Sequence, residues 1–91
     1  MAIILPQREL SLVSSNQIRM ARAALGWSLK ELSVHCSVSA RTLHRLEAEG
    51  GFEKITQANL KLIKQTLEAH GIEFIGSEEE GPGIRLWHNK S

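Results

Sequence analysis

Cysteine is nearly absent: the 91 residues contain one, Cys36. No intrachain disulfide can form, and the composition suits a reducing cytoplasm. Tyrosine is missing, and the aromatic residues are Trp27, Phe52, Phe74 and Trp87. A core drawn from such a chain consists mainly of Leu, Ile, Ala and Val, which suits helices packed on helices. Long apolar runs are lacking as well. The N-terminal "AIIL" stops after four residues at Pro6, too short for a signal peptide or a membrane span. No C-x-x-C occurs, and His35 and Cys36 are adjacent and diverge on a helix, so no metal site is expected. Neither a Ser-His-Asp arrangement nor a glycine-rich phosphate loop can be assembled, so neither an enzyme nor a cofactor is expected. The "EEE" run reads as a solvated loop.

Charge, in contrast, is present and unevenly placed. Residues 16–64 carry eight Lys and Arg against four Glu, whereas from Glu68 onward five Glu face only Arg85 and Lys90. A basic part and an acidic part imply two different tasks. The length allows one domain with one small core.

Four helix starts can be read from capping chemistry. Ser14 and Gln17 have capping-box spacing, with Val13 and Ile18 as a staple, and the helix that follows buries Ile18, Ala21 and Leu25 and stops at Gly26. Ser28 and Glu31 repeat the box and open a short helix to about His35. Ser39 caps a third, whose Leu43 and Leu46 point inward and which Gly50 and Gly51 end. Thr56 caps a fourth, with Leu60, Ile63 and Leu67 as its buried stripe and Gly71 as its stop. The apolar period then changes to two. Residues 72–75 and 84–87 read as a hairpin, with Glu73 and Arg85 paired across it. The expected organisation is an N-terminal extension at 1–13 with a possible short strand, a helical domain at 14–71, and a β-hairpin at 72–91.

The second and third helices are short and separated by a tight turn, the helix-turn-helix pattern. In that arrangement the second helix of the pair lies in the DNA major groove. Its predicted outer face carries Arg41, His44 and Arg45. Two arginines one turn apart repel each other by a few tenths of a kcal/mol, a cost that an anion laid along them would offset. An arginine fork fits guanine O6 and N7, and the helix N-terminus at Ala40 and Arg41 suits a phosphate. Trp27 is read as packing between the first two helices.

The stretch "IRMARAALGWSLKELSVHCSVSARTLHRLE" resembles the helix-turn-helix domain of the phage repressor and Cro class of transcriptional regulators, the xenobiotic-response-element-like family. The resemblance spans about residues 17–72 and implies a mainly α, four- to five-helix lambda-repressor-like domain, here with the C-terminal hairpin added. It implies base-reading positions at Ala40, Arg41 and Arg45 in a recognition helix at 39–48. Phosphate contacts follow at Ser28, Lys30, Ser39, Thr42 and His44, and a structural tie between Arg22 and Glu47. Three positions depart from the family pattern. Leu29 replaces a common Gln, Ser37 a common turn glycine, and "EAEGG" a tighter ending.

The function these readings imply is a sequence-specific repressor, chromosomal or from a phage or mobile element, bound as a homodimer to a palindromic double-stranded operator. Ile72, Phe74, Ile84, Leu86 and Trp87 are the expected dimer interface, since hairpin edges invite pairing with a second copy. The alternative is an antitoxin-like module that uses the same scaffold and hairpin to hold a protein partner.

Overall fold

The computed structural model describes residues 14–48, 55–76 and 80–87. Among them are four helices and one antiparallel hairpin, in the order α1 (Ser15–Leu25), α2 (Leu29–Cys36), α3 (Ala40–Glu47), α4 (Gln57–Ala69), β1 (Ile72–Ile75) and β2 (Gly83–Leu86). The N-terminal extension, Val13, Gly50, Gly51 and Phe52 lie outside the described residues, as do the strand, staple and helix stop expected there.

Each helix begins where a side-chain oxygen can take a backbone donor that the helix leaves unpaired. Ser14 and Ser28 form complete capping boxes with Gln17 and Glu31. Ser39 Oγ accepts from the Thr42 N–H at 3.1 Å, and Thr56 Oγ1 from the Asn59 N–H at 3.1 Å. Gly26 closes α1 in the left-handed region at φ 72. Two boundaries differ from the sequence reading. Helix α2 runs one residue further, to Cys36, and α3 stops at Glu47 because Ala48 is already extended (φ −76, ψ 156).

The turn between α2 and α3 depends on Ser37, which adopts φ 64 and ψ 23. It is the one non-glycine residue with positive φ among those described. Its N–H still donates to Ser33 O at 2.9 Å, so the left-handed turn closes the helix at some steric cost. That turn redirects the chain, and Val38 drops into the core immediately after it.

The core joins all the elements. Ile18 and Ala21 of α1, Leu32 and Cys36 of α2, Leu43 and Leu46 of α3, and Leu60, Ile63 and Leu67 of α4 are buried together with Val38 and Ile72. Each helix contributes residues three or four apart, the spacing of one helical face. Burial pushes the Cys36 thiol above its ordinary pKa.

The hairpin pairs Ile72 with Leu86, Glu73 with Arg85, Phe74 with Ile84 and Ile75 with Gly83. The second strand therefore begins at Gly83, one residue before the expected position, while Trp87 extends the ladder through its N–H to Gly71 O at 2.8 Å. Alternation sends Ile72, Phe74, Ile84 and Leu86 to one face, where Ile72 is buried and the other three pack on the core. On the opposite face, Glu73 Oε1 accepts from Arg85 Nη1 at 3.0 Å and from Trp87 Nε1 at 2.8 Å. These two donors, the indole foremost, hold the Glu73 carboxyl below its ordinary pKa.

One buried polar side chain fastens the hairpin to the helices. Gln17 is fully buried. Its Oε1 accepts from the Ser14 N–H at 2.9 Å, while Nε2 donates to Ile75 O at 3.2 Å and Gly83 O at 2.9 Å. All its polar atoms are thus paired, as burial requires, and the capping residue of α1 also clamps the last strand pair.

Candidate nucleic-acid interface

Helix α3 has a fixed inner face and a free outer one. Leu43 and Leu46 are buried, whereas Arg41, His44 and Arg45 are exposed. Ser39 caps the helix, and its hydroxyl also donates to Thr42 Oγ1 at 2.9 Å. Ser39 and Thr42 therefore hold each other at the first turn, with Thr42 half-buried and Ala40 partly covered. Among the described residues, neither arginine head and neither His44 nitrogen is engaged. Both guanidiniums keep all their donors for a ligand.

The C-terminal end of α3 is held by two arginines of α1. Arg22 forms a two-pronged pair with Glu47, Nε to Oε2 at 3.0 Å and Nη2 to Oε1 at 3.0 Å. The side chains are 23% and 10% exposed, so the pair is shielded enough to hold its geometry, and the fork adds direction to the attraction. Arg22 Nη1 also donates to Trp27 O at 3.0 Å, tying the α1–α2 turn into the same joint. Arg19 Nη1 donates to Glu47 O at 2.9 Å and Nη2 to Asn16 Oδ1. A carbonyl that the end of α3 leaves unpaired is thus satisfied by a cation, where the helix dipole favours one.

From α2 come Ser28 and Lys30. Both are exposed; Ser28 Oγ accepts from the Glu31 N–H at 3.1 Å, and its hydroxyl proton is free to donate outward. Leu29 packs against the core, which accounts for an apolar side chain at that position. The hairpin residues expected at a dimer interface divide. Ile72 is 3% exposed, and Phe74, Ile84 and Leu86 lie on the protein's own core, whereas Trp87 is 51% exposed.

Sequence reasoning missed three features. The Arg19 contact had a readable signal, since Asn16, Arg19 and Arg22 recur every third residue along one helix stripe. The Gln17 clamp had none, because its partners lie 58 and 66 residues away. Trp27 stacks on His35 with centroids 4.1 Å apart and planes at 2°, and meets the edge of His70 at 4.8 Å. It therefore bridges α2 and the end of α4.

In comparisons with known proteins, no family model, curated protein or solved structure matches the chain. Among the described residues, no helix is long and apolar enough to cross a membrane.

Proposed function

We propose that the protein is a sequence-specific DNA-binding transcriptional regulator with a lambda-repressor-like helix-turn-helix domain, α3 being its recognition helix. The observation that carries this reading is the unengaged pair Arg41 and Arg45 on the outer face of a helix held at both ends. Two free guanidiniums on a rigid helix keep every donor for guanine edges, and the held backbone adds no ordering cost of its own. Ser28, Lys30, Ser39, Thr42 and His44 supply the phosphate contacts in this reading, and Ala40 offers a methyl group to thymine.

A single short helix reads only a few base pairs, so the reading includes a homodimer on a palindromic operator. Because the apolar hairpin face is occupied within the chain, the dimer contact falls to Trp87 and the strand edges. In vitro selection from random duplexes with the full chain tests the proposal. It should return a two-fold symmetric consensus whose affinity falls steeply with salt. Recovery of unenriched DNA, or binding indifferent to salt, would overturn it and favour a scaffold that serves only a protein partner.

A further inference from the structure

Two histidines that are distant in sequence meet at the surface. His35 occupies the last turn of α2 and His70 caps α4. Their ring centroids are 5.0 Å apart with planes at 73°. Two imidazoles on one zinc ion, each with a nitrogen at about 2.0–2.1 Å, have centroids about 5 Å apart at a near-tetrahedral angle. The observed spacing fits that requirement.

The surroundings favour a cation in two further ways. His70 Nδ1 lies 2.9 Å from Thr66 O. A carbonyl can only accept, so Nδ1 carries the proton and the Nε2 lone pair is left for a ligand. This is the outer-shell hydrogen bond that orients metal-binding histidines. The C-terminal ends of α2 and α4 also converge here, and each brings the negative end of its helix dipole. Trp27 stacks flat on His35 and restricts its ring.

We propose that His35 and His70 form a two-histidine site for a borderline divalent transition metal such as Zn²⁺ or Ni²⁺. Among the described residues no third His, Cys, Asp or Glu completes a cluster, so water fills the remaining positions. Two imidazole nitrogens as the protein's ligands select against Mg²⁺ and Ca²⁺, which prefer oxygen from the protein. A bound ion would link the end of α2, immediately before the Ser37 turn, to the end of α4. This proposal is independent of the DNA reading.

The test is calorimetric titration of the full chain with ZnCl₂ and, separately, MgCl₂, alongside thermal melts. Zinc should bind one ion per chain and raise the Tm, as any ligand of the native state does; magnesium should do neither. His35→Gln and His70→Gln should each weaken zinc at least tenfold, while His44→Gln, on α3, should bind zinc as the parent does. Should either variant melt lower without metal, Ni²⁺ broadening of the His35 and His70 ring resonances in the parent chain decides. Selective broadening of both rings supports the site. Unaltered zinc affinity in either Gln variant, an equal loss in His44→Gln, or broadening spread over all histidines would overturn it.

Discussion

Replacing Gln17 by Glu changes one atom of the clamp and reverses its polarity. The Oε1 contact to the Ser14 N–H survives, but an oxygen now faces Ile75 O and Gly83 O across the 3.2 and 2.9 Å gaps. Two hydrogen bonds, each worth ~1 kcal/mol net, are lost, and a buried acceptor without a donor costs about 1–3 kcal/mol more. The total of roughly 3–5 kcal/mol is a large part of the ~5–14 kcal/mol expected for a domain of this length. Chemical denaturation at pH 7 should show that loss, and the Tm should fall by about 10 °C or more. Gln17→Met has similar shape and carries no charge, but it loses all three side-chain hydrogen bonds and leaves the Ser14 N–H unpaired, so it should cost about 3 kcal/mol or more by the same accounting. A carboxyl between carbonyls is favoured in its neutral form, so its folded pKa lies above the unfolded one. The penalty of Gln17→Glu is therefore full above the raised folded pKa and shrinks as the pH falls from there toward the unfolded value. If Gln17→Met and Gln17→Glu were both as stable as the parent chain at pH 7, the clamp would not hold the hairpin as described.

Three other outcomes follow from local features. Ser37→Gly removes the steric cost of φ 64 and should stabilise the domain by about 0.5–1 kcal/mol in urea titrations; a loss of stability would contradict the strain assigned to that turn. The Cys36 thiol is buried with a raised pKa, so the native chain should resist thiol reagents until it opens. Its contribution to stability is complete below the unfolded thiol pKa and is lost as pH rises through the folded one, which denaturation between pH 7 and 10 would register. The Glu73 carboxyl should titrate below the ordinary Glu range by NMR, so its contribution is present at neutral pH and lost as pH falls through the lowered pKa. Trp87→Phe removes the largest cause and should move that midpoint up.

The parts of the fold that were legible in sequence are those set by neighbours three or four residues apart. Ser14, Ser28, Ser39 and Thr56 announce their helices because a cap needs only its own first turn. The stripes ending in Leu46 and Leu67 likewise follow from helical spacing. The hairpin was legible in kind and in its Glu73–Arg85 pair, but the start of its second strand was not. Gly83 has no side chain to mark its place, and Trp87 contributes a ladder bond just beyond the strand. The orientation of the hairpin on the helices was hidden as well. Alternation reveals two faces without saying which one the helices cover, so Ile72 and Phe74 suited an interface and a core equally well. The outer face of α3 was readable because Leu43 and Leu46 fix the inner one. The support behind it was only half readable: Arg22 and Glu47 were paired in the sequence reading through the resemblance, whereas Arg19 reaches a backbone carbonyl that no side-chain pattern marks.

The base-reading role proposed for α3 is tested most directly by the affinities of Arg41→Ala and Arg45→Ala for the duplex selected by the parent chain, at one fixed salt concentration. Both side chains are exposed and unpaired among the described residues, so the variants should melt as the parent does. Each should weaken specific binding by about 1–3 kcal/mol and relax the preference at its own base pair, while non-specific binding changes far less. Parent-like affinity and an unchanged consensus in both variants would contradict the account.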